Sequence, residues 1–161
     1  MRRTTAAASV VTMLVPLLLA GASTASAAAN GSLTVTTLDR SGKPVYAQVA
    51  VYNTRTNDFR YIDGNKKTSL PNGSYELATS FTGGNGEDGI VGGHSVKVSG
   101  ATTTTFDARK GRPVKVSISP APGSGYDRTV SAAVCATDNS PATMSMSAAP
   151  GDLYVIPNSS K

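Results

Sequence analysis

The segment Pro44-Val45-Tyr46-Ala47-Gln48-Val49-Ala50-Val51-Tyr52 alternates without a break. Val45, Ala47, Val49 and Val51 fall on one side and Tyr46, Gln48, Ala50 and Tyr52 on the other, the two-residue period of a strand. Branching at Cβ restricts valine rotamers in a helix, whereas a pleated strand accommodates them. Working outward, Leu33 and Val35 mark an earlier strand, separated from this one by the turn-forming Asp39-Arg40-Ser41-Gly42. Downstream, residues 59–62 form a short strand closed by Asp63-Gly64. Pro71-Asn72-Gly73 is a turn signal, since Asn and Gly tolerate positive φ. It sends Tyr75, Leu77, Thr79 and Phe81 onto one face of a further strand. Strand character returns at 95–98, at 102–107, in the alternating Val114, Val116 and Ile118, and at 129–136, 143–147 and 153–156. No stretch after residue 29 carries a 3.6-residue apolar period of helical length, so the expectation is an all-β sandwich.

Two segments interrupt the pattern. Residues 82–93 hold Gly83, Gly84, Gly86, Gly89, Gly92 and Gly93. Glycine is costly to order, so an exposed loop is expected there. Residues 119–128 contain Pro120, Pro122, Gly123 and Gly125 and read as a linker or long loop. The strands within 129–161 either complete the first sandwich or begin a second β domain; a two-residue period does not choose between them.

The start of the chain is of another kind. Arg2 and Arg3 precede an almost wholly apolar run from Ala6 to Ala20, followed by small residues through Ala29. Ala25-Ser26-Ala27 and Ala27-Ala28-Ala29 both offer the small-x-small pattern that a signal peptidase accepts. Ser9, Thr12 and Pro16 interrupt the run, which is shorter than the roughly 20 residues of a membrane span. Residues 1–29 are therefore expected to be a cleaved signal peptide, with the mature chain beginning at Asn30. The expected location is secreted and extracellular, with no membrane attachment after cleavage.

Composition narrows the chemistry. The formal charge of the 161 residues is +5, and losing Arg2 and Arg3 leaves +3, too small and too evenly spread for nucleic-acid binding. The densest basic cluster, Arg109-Lys110-Gly111-Arg112, reads as a solvated turn beside a strand. Cys135 is the single cysteine, so no internal disulfide can form and zinc sites built from several cysteines are excluded. It lies opposite Val130, Ala132 and Val134 in its strand and is expected to pack against another layer, the alternative being a thiol open to intermolecular pairing. Met144 and Met146 share a strand face and read as core rather than as metal ligands.

Catalytic motifs are missing. His94 is the one histidine, so any imidazole base would have to be His94, and no G-x-S-x-G elbow accompanies it. Its strand phase matches Val96 and Val98, and a partly buried structural histidine at the base of the loop is expected. Glu87-Asp88 is the one adjacent carboxylate pair, in the glycine-rich segment, and no Asp-x-Asp-x-Asp-Gly series accompanies it for calcium. Glu87, Asp88 and His94 together mark a possible functional loop. The glycines do not form a nucleotide loop of the G-x-x-x-x-G-K-[ST] kind. No cofactor and no metal are expected, and the chain reads as a non-enzyme. Tyr46 and Tyr52 share a strand face, with Phe59 and Tyr61 shortly downstream; these four form a possible binding surface, since sugar rings stack their apolar C–H faces on aromatics.

The residues Leu33-Thr34-Val35, Leu38-Asp39-Arg40-Ser41-Gly42-Lys43-Pro44-Val45 and Ala47-Gln48-Val49-Ala50-Val51, with the later Gly73-Ser74-Tyr75-Glu76-Leu77, resemble the carboxypeptidase regulatory-like family. That family has a transthyretin-like (prealbumin-like) sandwich, related in architecture to the immunoglobulin-like type, and carries a D-x-x-G-x-P-V turn, an A-x-V strand and a G-x-Y-x-L strand. The resemblance covers about residues 32 to 118 and implies a domain over 30–118. The segment 103–116 also resembles the non-catalytic N-terminal region of secreted actinobacterial subtilisin-like proteases. The resemblances imply an accessory or interaction module whose partner is an extracellular protein or an adjoining catalytic domain. The alternatives are the propeptide or accessory region of such a protease, or a module binding polysaccharide or cell wall.

Overall fold

The computed structural model describes residues 30–84, 86, 88–117, 119, 123, 128–135 and 143–158. The signal-peptide reading of 1–29, Glu87, and most of the linker reading of 119–128 lie outside the described residues. Eleven strands are present among the described residues: β1 (Asn30–Leu38), β2 (Gln48–Asn53), β3 (Phe59–Asp63), β4 (Lys67–Pro71), β5 (Gly73–Thr82), β6 (Gly89–Val98), β7 (Ala101–Asp107), β8 (Arg112–Pro113), β9 (Val130–Cys135), β10 (Thr143–Ala148) and β11 (Leu153–Ile156). A single 3-10 turn, Ala108–Lys110, follows β7. The described residues are all-β, as the alternation requires.

Three sheets are formed, with strand orders β4-β1-β7, β3-β2-β5-β6-β11-β8 and β10-β9. The first two face each other across the main core. Leu33, Val35, Leu70 and Phe106 come from the smaller sheet; Val49, Val51, Tyr75, Leu77, Phe81, Ile90, Val98 and Ile156 come from the larger. The inward phases are those expected: Val49 and Val51 in β2, and Tyr75, Leu77, Thr79 and Phe81 in β5, are all buried. Thr79 tolerates complete burial because its hydroxyl donates to the Gln48 carbonyl at 2.9 Å. Thr37, equally buried, donates to the Val45 carbonyl at 2.6 Å.

The segment read as a strand from Pro44 enters the larger sheet only at Gln48. Its first residues cross between sheets, and their bonds go to β1: the Val45 N–H donates to the Thr37 carbonyl at 3.0 Å. The connecting turn is built by Asp39. Its Oδ1 accepts from the Ser41 N–H (2.8 Å), the Ser41 hydroxyl (2.7 Å) and the Lys43 N–H (2.8 Å). Those bonds, the Ser41 hydroxyl foremost, hold the Asp39 carboxyl below its ordinary pKa. Gly42 completes the turn at φ +80°, a left-handed conformation that glycine takes without strain.

The hairpin β9–β10 adds a third layer on the outer face of the larger sheet. Ala50 and Ala78 are buried there beneath Val134 and Met144, with Tyr52 at the margin. Met144 is thus packed, as its strand phase predicted. The last strand, β11, joins the larger sheet, running parallel to β6.

Three expectations require correction, and one strand had no expectation. The glycine-rich segment is a loop only to Asp88; Gly89, Gly92 and Gly93 lie inside β6. Gly89 and Gly92 are there because neighbours occupy the side-chain space. A β-carbon on Gly89 would stand 2.7 Å from Met146 Cγ, and one on Gly92 2.9 Å from Phe106 Cδ1. The Val114–Val116 alternation does not make a strand: pairing covers Arg112 and Pro113, and Val116 is exposed. Its partner β11 has just four residues and offers little edge to extend along. Cys135 is exposed rather than packed, because β9 has a layer on one side alone and Cys135 takes the other. Finally, β4 gave no strand signal, since Leu70 is the one strongly apolar residue among its five.

Candidate functional site

The larger sheet's outer face is covered by the hairpin over β5 and β6, and its β2–β3 margin is open. Register decides what gathers there. Tyr52 lies opposite Phe59, Ala50 opposite Tyr61, and Gln48 opposite Asp63. Cross-strand partners share a face, so Tyr52, Phe59 and Tyr61 come to the same side, and Tyr46, which precedes β2, reaches that margin through its hydroxyl bond to Asp63. Tyr46 is 68% exposed, Tyr61 49% and Phe59 36%; Tyr52 is half-buried against the hairpin cluster. Tyr52 therefore forms the inner wall, and the accessible rings are the other three.

These rings are held in place. The Tyr46 hydroxyl donates to Asp63 Oδ1 at 3.3 Å, and Lys66 Nζ donates to Asp63 Oδ2 at 2.8 Å. The Lys66 ammonium, followed by Tyr46, keeps the Asp63 carboxyl below its usual range. The Tyr52 hydroxyl donates to Asn57 Oδ1 at 2.6 Å. Asn57 itself sits at φ 61° in the β2–β3 turn, one of the few non-glycine types that accept such a backbone. Phe59 and Tyr61 meet edge to face, their centroids 5.0 Å apart and their planes at 79°, the arrangement favoured by the ring quadrupole.

The opposite surface of the molecule is chemically different. Ser32, Thr34 and Thr36 of β1 lie beside Ala101, Thr103 and Thr105 of β7 in parallel register. Alternate residues point inward, so the outer face of the small sheet is a field of hydroxyls.

Of the loop residues proposed from sequence, Asp88 and His94 do not assemble with the rings. Asp88 pairs with Arg40 at 3.9 Å beside a hollow of about 290 Å³ lined by Asp39, Ser41, Gly83 and Gly84. The Arg40 guanidinium also lies 3.8 Å above the Tyr154 ring, a cation–π contact that ties the loop region to β11. His94 is half-buried on the other face of its strand, edge-on to Phe106 at 6.3 Å. It borders a hollow of about 60 Å³ shared with Thr105, Asp107 and Lys110. The Asp107 carboxylate is committed elsewhere. Arg109 donates to it through Nε (2.9 Å), Nη2 (2.7 Å) and its backbone N–H (3.0 Å), which lowers the Asp107 pKa. Among the described residues, no group of three or more His, Cys, Asp or Glu side chains is placed to hold a metal ion. No helix among them is long and apolar enough to cross a membrane.

Sequence reasoning did not single out Asp39 as the residue that builds the β1–β2 turn. The D-x-x-G spacing carried that signal. No family model, curated protein or solved structure matches the chain.

Proposed function

We propose that this chain is an exported, non-catalytic accessory domain that works by contact, through the outer face of β2 and β3. One observation carries this reading. Of the four large apolar side chains exposed among the described residues, Tyr46, Phe59 and Tyr61 share that face, and Val116 alone lies elsewhere. Scattered single exposures are ordinary, whereas grouped aromatics mark interaction surfaces. Export rests on the basic, apolar and small-residue succession of residues 1–29. A transthyretin-like sandwich of the carboxypeptidase regulatory-like kind is supported by the turn that Asp39 and Gly42 build and by the A-x-V residues Ala47-Gln48-Val49 that lead into β2.

The test places a photoreactive benzophenone amino acid at Tyr61, and separately at Thr103 on the hydroxyl face, in the chain exported by its own host. Benzophenone inserts into C–H bonds of proteins and glycans alike. Adducts from position 61 and none from 103 are expected. Equal adducts from both positions, or none from either, would overturn the assignment of the contact face.

A further inference from the structure

Resting on that contact reading, we infer that the partner at this face is a neutral polysaccharide, bound as a single flexible chain rather than as a crystalline surface. A pyranose ring has apolar C–H faces and a hydroxylated rim, so it fits exposed ring planes set among neutral hydrogen-bonding groups. Tyr46, Phe59 and Tyr61 supply the planes, and the exposed amides of Gln48 and Asn57 lie on the same margin. The carboxylates of this face are engaged within the protein. Asp63 is held by Lys66 at 2.8 Å and by Tyr46, and Glu76 accepts the Ser95 hydroxyl at 2.6 Å. Lys66, the cation beside the rings, is spent on the same pair. Arg60 belongs to the other phase of β3, opposite Val51. Arg55 and Asp58, exposed in the β2–β3 turn beside Asn57, carry opposite charges, so a charged polymer or an acidic peptide would meet no excess of one sign at the rings, and a neutral one loses nothing.

Ring geometry selects the physical form of the ligand. Phe59 and Tyr61 stand at 79° to one another, so one flat crystalline face cannot lie on both planes. A single chain can turn between them. Because two of the three phenols, Tyr46 and Tyr52, are tied to side chains of the same margin, and Tyr61 packs edge to face on Phe59, the rings are pre-oriented and little rotamer entropy is lost on binding.

The experiment is affinity electrophoresis of the chain from Asn30 onward through gels holding hydroxyethyl cellulose, mannan or dextran, with polygalacturonate as a charged comparison. Retardation by at least one neutral polymer is expected, with a roughly three- to tenfold weakening for Tyr46→Ala or Tyr61→Ala. Tyr46→Phe should retain most of the binding, since the ring and not the hydroxyl makes the contact, and Val116→Ala should change nothing. No retardation in any neutral gel, retardation by polygalacturonate alone, or retardation indifferent to the ring substitutions would overturn the inference. So would binding to microcrystalline cellulose in place of the soluble polymers. Sedimentation equilibrium gives a further refutation: a dimer abolished by Tyr61→Ala would make the face an interface between copies. A polysaccharide failure combined with benzophenone adducts at position 61 would discard the sugar and leave the contact face standing.

Discussion

The adjacent glycines Gly92 and Gly93 should respond oppositely to the same substitution. At Gly92, an alanine methyl would sit 2.9 Å from Cδ1 and 3.1 Å from Cε1 of Phe106, and 3.2 Å from Cβ of Ile156. Carbon atoms at rest stay about 3.5–4.0 Å apart, so the overlap is about 0.6 Å or more. Phe106 is 1% exposed, and the hollow it borders beside His94, about 60 Å³, leaves it little room to retreat. Overpacking of this kind costs about 1–3 kcal/mol, offset by about 0.4–1 kcal/mol because alanine leaves the unfolded chain less entropy to lose. The net expectation for Gly92→Ala is a loss of about 1–2 kcal/mol. That corresponds to a fall in Tm of roughly 4–8 °C for a chain of this size. At Gly93 the nearest atoms to the new methyl are the Leu77 carbonyl oxygen at 3.7 Å and Val134 Cβ at 3.9 Å, both ordinary contacts. Gly93→Ala should therefore gain about 0.4–1 kcal/mol. Urea unfolding followed by circular dichroism, with thermal melts alongside, measures both. Gly92→Ala combined with Phe106→Leu should recover part of the loss. A neutral Gly92→Ala, or a Gly93→Ala as damaging as its neighbour, would refute the claim that β6 keeps its glycines for packing.

Three further outcomes follow from the same geometry. Gly42→Ala places a β-carbon at φ +80° and 3.0 Å from Arg109 Nη1, and should cost about 1–2 kcal/mol in urea unfolding, with Gly42→Asn milder because Asn enters the left-handed region more readily. Asp39, Asp63 and Asp107 all have folded pKa values below the ordinary 3.8. Their stabilisation is fully present above that value and is lost as pH falls through the lower folded values, so the urea midpoint should drop below about pH 4, and less steeply in Asp39→Asn; an identical acid profile would remove Asp39 as a contributor. Cys135 is exposed, so Ellman's reagent should titrate it in native buffer as completely as in denaturant, and a thiol silent until unfolding would contradict the outward phase of β9.

Local chemistry carries much of this molecule. Alternation in 44–52 and 75–81 shows which residues face inward, because a pleated strand sends successive side chains to opposite sides whatever its partner. Asp39, Gly42 and Asn72-Gly73 likewise announce turns through bonds and backbone angles made within a few residues. Even the aromatic face was partly legible, since Tyr46 and Tyr52 share a phase. Long-range pairing was not. Nothing near Thr103 says that β7 lies parallel to β1, and nothing near Leu153 says that β11 continues the larger sheet beside β6. Gly89 and Gly92 misled for the same reason: glycine signals freedom locally, whereas here it makes room for Met146 and Phe106, both more than a dozen residues away. The exposed rings follow the same division. Sequence alone determined that the aromatics exist and that alternate residues of one strand share a side, whereas register brought Phe59 and Tyr61 beside Tyr52. Tertiary structure decided that the hairpin covers Ala50 and Ala78, half-buries Tyr52, and stops short of Tyr46, Phe59 and Tyr61, because which part of a sheet is shielded from water depends on where a distant segment packs.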